Sequence, residues 1–285
     1  MGGQYNYRVD HNKKDMKYIF SNWKRIEKTL KGKSIYLFLD YDGTLAPIAL
    51  TPGMAVMPEK TKDVLRQLSK PSSHKIAIIS GRALKDISRR VGLKNIVYVG
   101  NHGFEIKGPK ISFKSPVPFL YKKTLKEIKI KLEKALSSID GVLIENKGFS
   151  LSVHYRLTDK ENVPVVKARF YTTIFPYEFM NNVQVKPGKM VLEIKPPTSW
   201  NKGKAVLWLL ARQKFLLRKK KQKILPIYIG DDVTDEDAFS ALKNKGWAVR
   251  IGKLQKSCAR YYMKNTEEVS DLLRLLLQGT RNARH

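Results

Sequence analysis

Two carboxylates two residues apart, Asp40 and Asp42, stand in the string Asp40-Tyr-Asp-Gly-Thr-Leu45, directly after a short apolar run. At a strand end such a pair can share one small site, where one carboxylate attacks and the other moves a proton. An Asp-Gly turn with two solvated acids is the plain alternative, but the full string behind an apolar strand is more specific than Asp-x-Asp alone. A second string, Ser80-Gly81-Arg82, offers a hydroxyl and backbone N–H groups at a strand-to-helix turn. That is the material of a phosphate cradle, although Ser-Gly turns are common. The third string is Gly230-Asp-Asp-Val-Thr-Asp-Glu-Asp237. The chain has only 25 acidic residues, and their concentration here points to a site for a hard cation. Mg²⁺ takes a few carboxylates together with waters and phosphate oxygens. Lys202, in Trp200-Asn-Lys-Gly203, stands out among the lysines only because it opens a helix and precedes the acidic turn.

The elements that must position these strings can be read from periodicity. Continuous apolar runs over 34–40, 75–80 and 225–229 read as buried parallel strands. Further strands are expected over 96–99 and 247–251. Helical spacing predicts helices over 19–30, 58–68, 84–91, 202–212 and 236–242. A last helix is expected from a Thr266 cap through 277, stopped by Gly279. Between these lies an αββαββ block: helix 119–139, strands 142–145 and 150–155, helix 161–175, strands 183–185 and 190–194. The expected fold is α/β, a Rossmann-like open parallel sheet with an inserted α/β cap. The core is expected over 31–104 and 191–285, the cap domain over 105–190, and an N-terminal helical extension over 1–30. The run 218–223 reads as a solvated loop, and there is no internal repeat. Ligands of such sheets bind at the carboxyl ends of the strands, where all three strings fall.

Composition excludes several classes. With 285 residues, 42% hydrophobic and 28% charged, the chain is globular and long enough for a full core. One cysteine, Cys258, rules out a disulfide framework and a cysteine-based zinc site. No run approaches a membrane span, and the start lacks the apolar stretch of a signal peptide. A soluble cytoplasmic protein with no membrane partner is therefore expected. The net charge of +30 raises the question of nucleic acid. Yet 40 of the 55 basic residues are Lys and 15 are Arg, whereas base readout and phosphate forks favour Arg. The excess is also spread evenly along the chain, so a nucleic-acid partner is not expected. A positive field would still steer a phosphorylated substrate inward.

The order Asp-x-Asp-Gly-Thr, Ser80, Lys202, then Gly-Asp-Asp-x-x-x-Asp resembles the haloacid-dehalogenase-like phosphatases. Within them the chain is similar to the trehalose-6-phosphate phosphatases. The narrower likeness is carried by Gly100-Asn-His-Gly-Phe-Glu105, Glu145-Asn-Lys-Gly-Phe-Ser-Leu-Ser-Val-His-Tyr-Arg156, Gly188-Lys189 and Val191-Leu-Glu193. The resemblance implies that Asp40 is the nucleophile and Asp42 the acid and base. It implies that Ser80 and Lys202 hold the phosphoryl group, and that Mg²⁺ is held by Asp40, Asp42 and Asp231 with Asp232 and Asp235 in support. It further implies a cap that reads the sugar through Gly81, Arg82, His102, Glu105, Glu145, Lys147, Ser152, His154, Arg156, Lys189 and Glu193. Strand alternation independently puts Ser150, Ser152, His154 and Arg156 on one face and Leu151, Val153 and Tyr155 on the other, a pattern also expected of any half-buried strand. The expected substrate is a small sugar phosphate, and a trehalose-6-phosphate synthase is a partner the resemblance allows but no residue marks. The rival readings are a phosphatase for sucrose phosphate or mannosyl-phosphoglycerate, and a non-catalytic member that binds polyanions. A silent copy would be free to lose one of Asp40, Asp42, Lys202 and Asp231, and all four are present.

Overall fold

The computed structural model describes residues 16–70, 74–218, 223–252 and 256–281. The expected loop at 218–223 lies mostly outside the described residues, as does the first half of the expected N-terminal extension. The centre is a nine-stranded sheet. From one edge its strands are β1 (Lys17–Tyr18), β13 (Tyr261–Met263), β12 (Trp247–Ile251), β11 (Lys223–Gly230) and β2 (Lys33–Leu39). Then come β3 (Lys75–Ile79), β4 (Val97–Gly100), β5 (Glu105–Gly108) and β6 (Ile111–Lys114). The strands pair in parallel from β1 as far as β4, and β4, β5 and β6 form an antiparallel meander.

Side-chain alternation explains the layers. On β2, Ile35, Leu37 and Leu39 join one core, while Tyr36 and Phe38 join another on the opposite face. The first face is covered by α1 (Trp23–Lys28), α2 (Glu59–Leu68), α3 (Leu84–Val91) and α8 (Glu267–Arg281). The second is covered by α6 (Lys202–Leu217) and α7 (Glu236–Leu242). A strand buried on both faces must be apolar throughout, which is why these runs lack alternation in sequence.

A four-stranded antiparallel sheet stands apart, in the order β7 (Leu143–Asn146), β8 (Leu151–His154), β10 (Val191–Lys195), β9 (Gln184–Gly188). One face packs on α4 (Tyr121–Leu136) and α5 (Val163–Phe179) through Leu151, Val153, Leu192 and Ile194. The other face is polar and turns toward the large sheet.

Several expectations need correction. The helix expected over 19–30 is a 3₁₀ turn at Phe20–Asn22 followed by the shorter α1. Residues 17–30 are no appendage: β1 pairs with β13, and Ile19 is completely buried in the core. The cap boundaries also shift. The hairpin β5–β6 belongs to the large sheet, whereas β10 stands in the small one, as the αββαββ block implied, and so carries the cap past the expected boundary at 190. The last helix runs past Gly279 to Arg281, and the side chain that accepts from its first N–H groups is Asn265, not Thr266.

Candidate active site

The carboxyl ends of β2, β3, β4 and β11 meet beneath the polar face of the small sheet. Between them is a cavity of about 210 Å³. Asp40, Asp42, Lys202 and Asp231 form its floor, and Glu145, Ser152, His154 and Glu193 its roof. Ile48, Leu50, Pro52 and Ala55 supply an apolar side wall.

On the floor, Asp40 follows β2 and is only 4% exposed. Its Oδ1 accepts from Lys202 Nζ at 2.9 Å, and the same ammonium donates to Asp235 Oδ1 at 2.7 Å. Lys202 opens α6 behind the N-cap Asn201, whose side chain accepts from the Lys204 N–H. Burial alone would push Lys202 down, but Asp235 and Asp40 outweigh it and keep the ammonium charged. Burial, reinforced by Asp235 and Asp231, pushes Asp40 well above the ordinary carboxylate range against the pull of Lys202.

Asp42 is held differently. Arg82 Nε and Nη2 clamp its two oxygens at 2.7 and 2.6 Å. Arg82 in turn donates to Asp86 at 3.0 Å and to the Pro52 carbonyl at 2.7 Å, so the turn after β3 and the loop after β2 are fixed together. Ser80, 1% exposed, accepts from the Arg82 N–H through Oγ at 3.1 Å and lies under the cradle, outside the cavity lining.

Asp40, Asp231 and Asp235 bring carboxylate oxygens within 4.8 Å of one another. Lys202 balances one of these charges. Asp235 is already saturated: Oδ1 accepts from Lys202 and from Tyr228 OH at 2.7 Å, and Oδ2 from the N–H groups of Asp231 and Asp232 at 3.0 and 2.9 Å. Those four donors fill the acceptor capacity of a carboxylate, and Lys202 and Tyr228 help hold Asp235 below its ordinary pKa against burial. Asp231 is unlike it. Its Oδ2 meets Lys189 Nζ at 2.5 Å, but its buried Oδ1 has no hydrogen-bond partner among the described residues. An orphaned buried carboxylate oxygen, beside excess negative charge and an all-oxygen donor set, suits a hard divalent cation. The Gly43 backbone (φ +78°) leaves the space before Asp231 open; a Cβ there would come 2.3 Å from Asp231 Oδ2.

The roof is a transverse row across the small sheet. Register sets Glu145 opposite Ser152, Ser152 opposite Glu193, and Glu193 opposite Lys186. Glu145 accepts from His154 Nε2 at 3.0 Å, and against burial His154 and Lys147 hold its carboxyl below the usual range. Glu193 Oε1 accepts from Ser150 Oγ at 3.1 Å and from Lys147 Nζ at 3.3 Å, and Oε2 meets His102 Nε2 at 2.7 Å. Burial would raise Glu193, but His102 and Lys147 outweigh it and hold the carboxyl well below its usual range. Burial lowers His102 below its ordinary value against the opposing pull of Glu193. Ser152 Oγ is fully buried, lines the cavity and has no partner among the described residues. Arg156 donates to the Lys189 carbonyl at 2.8 Å and fixes the β9–β10 turn.

Of the residues singled out in sequence, Gly81, Arg82, His102, Lys147, Arg156, Lys189 and Asp232 also line the cavity. Glu105, expected to touch the sugar, is not brought there: it accepts from Asn101 Nδ2 at 2.8 Å and faces Lys114. Asp235, like Ser80, lies beneath the lining. Sequence reading missed Lys186, Thr234, Tyr228 and the 48–55 wall. Lys186 could have been found by pairing it with Glu193 across the Pro187-Gly188 turn. The apolar wall carries no chemical signal in sequence.

An open parallel sheet with an aspartate pair at one strand end, a buried lysine and an acidic turn at the next is the haloacid-dehalogenase-like fold. Comparisons narrow it. The trehalose-phosphatase family model matches residues 38–272. A probable trehalose-phosphate phosphatase 3 of Oryza sativa subsp. japonica is 35% identical over 268 residues, covering 87% of this chain and 70% of the relative. A probable trehalose-phosphate phosphatase D of Arabidopsis thaliana is 34% identical over 270 residues, covering 90% and 70%. Among solved structures, the C-terminal domain of Candida albicans trehalose-6-phosphate phosphatase superposes with a TM-score of 0.79 at 24% identity, covering 93% of this chain and 99% of that one, a likeness of fold. The chain belongs to the trehalose-phosphatase family. Among the described residues no helix is long and apolar enough to cross a membrane.

Proposed function

We propose that this protein hydrolyses trehalose 6-phosphate to trehalose and inorganic phosphate. The observation that carries this reading is the two-sided cavity, with phosphate chemistry on the floor and a row of fixed polar groups on the roof. The phosphate seats on the floor against Lys202 and the backbone of the cradle, which Ser80 Oγ supports from beneath through the Arg82 N–H. Asp40 attacks phosphorus in line and becomes an aspartyl-phosphate, while the ester bond to the sugar oxygen breaks. Asp42 gives its proton to that oxygen, then takes one from the water that cleaves the acyl phosphate, which returns Asp40 as carboxylate and releases phosphate. A protonated Asp42 keeps only one acceptor oxygen for Arg82, so the bidentate clamp belongs to the base half of the cycle. Asp40, the Asp42 carbonyl and Asp231 are the groups to hold Mg²⁺, with Asp235 orienting Asp231 from below. When bound, Mg²⁺ offsets the repulsion between phosphate and Asp40. The block carrying the small sheet serves as a cap that excludes water, and Glu145, Lys147, Ser152, Arg156, Lys189 and Glu193 read the sugar hydroxyls.

The test is phosphate release over a panel of sugar phosphates, with Mg²⁺ and with excess chelator. Trehalose 6-phosphate should give the highest kcat/KM and chelator should stop turnover. Preference for sucrose phosphate or mannosyl-phosphoglycerate would replace the substrate, and no turnover of any ester would favour the non-catalytic reading.

A further inference from the structure

Two consecutive residues after β4, Asn101 and His102, hold left-handed backbone with φ of 49° and 54°. Residues with a Cβ rarely adopt that conformation. The bonds that fix it run to the cradle: the Asn101 N–H donates to the Arg82 carbonyl at 2.7 Å, and the His102 N–H to the Ser80 carbonyl at 3.0 Å. The imidazole then lies directly on Gly81, where a Cβ would come 2.4 Å from Nε2. From there Nε2 reaches across the cavity to Glu193 Oε2 on β10, at 2.7 Å. Ser150 and Lys147 occupy the other oxygen.

We propose that His102 is a positioning residue that ties the phosphate cradle to the cap and aims Glu193 at the sugar. The proposal rests on the sugar-phosphate reading above. A carboxylate has about four acceptor positions. Three on Glu193 are taken, and His102 decides where the fourth points. One ring thereby sets the distance between the group that seats the phosphate and the group that reads the sugar. His102 itself need not touch the substrate.

The experiment measures kcat and KM of His102→Ala and His102→Gln on trehalose 6-phosphate and on p-nitrophenyl phosphate, which has no sugar hydroxyls. On trehalose 6-phosphate His102→Ala should lose about tenfold or more in kcat/KM, mostly through KM, as expected for a misplaced hydrogen bond to a charged group. On p-nitrophenyl phosphate both variants should stay within about twofold of wild type, because the chemical step is untouched. His102→Gln, whose terminal amide can donate to Glu193, should recover much of the loss. His102→Ala should cost nothing further in a Glu193→Ala background. If His102→Ala does not fold, His102→Asn takes its place, since Asn tolerates left-handed backbone and stops short of Glu193. Equal losses on both substrates, no loss on either, or additive losses with Glu193→Ala would overturn the positioning role. Wild-type enzyme that hydrolyses p-nitrophenyl phosphate but not trehalose 6-phosphate would overturn the substrate reading and this proposal with it.

Discussion

Asp40 and Asp42 differ by two positions and by everything around them. Asp40 is buried against an ammonium, and Asp42, more exposed, is gripped by a guanidinium. Replacing Asp40 with Asn should leave near-background turnover in a protein that still folds, because an amide does not attack phosphorus; kinetics alongside a thermal melt check both halves. Asp42→Asn removes the carboxyl proposed to carry the proton and should lower kcat by on the order of 10²–10⁴-fold. Glu193 gives a pH test with a definite sign. Its folded pKa lies below the ordinary value of 4.5. Its contribution to stability is therefore full above about pH 4.5 and is lost as pH falls toward the folded value. The stability advantage of wild type over Glu193→Gln, followed by melts at stepwise lower pH, should narrow in acid; an advantage that grew instead would contradict the ion pairing. Most of this site was legible in sequence because acids are scarce in a lysine-rich chain, so the Asp clusters stood out. Tyr228 was not legible, since in a buried strand a tyrosine reads as core until its hydroxyl is seen on Asp235.

The placement of Lys202 depends on how one helix starts. The Asn201 side chain caps α6 by accepting from the Lys204 N–H at 2.9 Å, and the next residue is Lys202. Asn201→Ala should cost about 1 kcal/mol and lower the melting temperature by about 2 °C. It should lower kcat as well, since fraying the first turn frees Lys202 from Asp40; a lower melting point with unchanged kcat would show that Asp40 and Asp235 alone fix the lysine. Long elements such as α4 and the buried strands β2, β3 and β11 were readable because periodicity or apolar continuity extends over many residues. The two-residue β1, the three-residue β13 and the four-residue β5 and β6 are too short to show a period. Their pairing is decided by neighbours distant in sequence, as when Lys17 meets Tyr261. That is why both the cap boundary and the N-terminal segment were misplaced.

At the scale of the whole molecule the charge of +30 is the property least explained by the fold. The hydrophobic cores assemble from apolar and aromatic side chains, with no lysine among them. Near the cavity, however, Lys147, Arg156, Lys186 and Lys189 sit on the cap and Arg82 and Lys202 on the core, within a chain that is positive throughout. A phosphate ester therefore approaches down a favourable potential, while the step at Asp40 occurs among groups whose pairs are already buried. Salt should separate the two, because exposed charges are screened beyond about 8–10 Å near physiological ionic strength and buried pairs much less. Raising NaCl should lower kcat/KM on trehalose 6-phosphate while kcat stays nearly level. A parallel fall in both would place the salt effect on the cap–core pairs Lys189–Asp231 and Lys186–Asp237, which join the two sheets at 2.5 and 3.2 Å. Melts over the same salt series tell these apart, since weakened pairs lower the melting temperature and screened encounter does not. Duplex DNA is the control for the rival reading: a tight complex whose log affinity falls with log salt at a slope of about 0.9 per phosphate contacted would assign the charge to a polyanion instead.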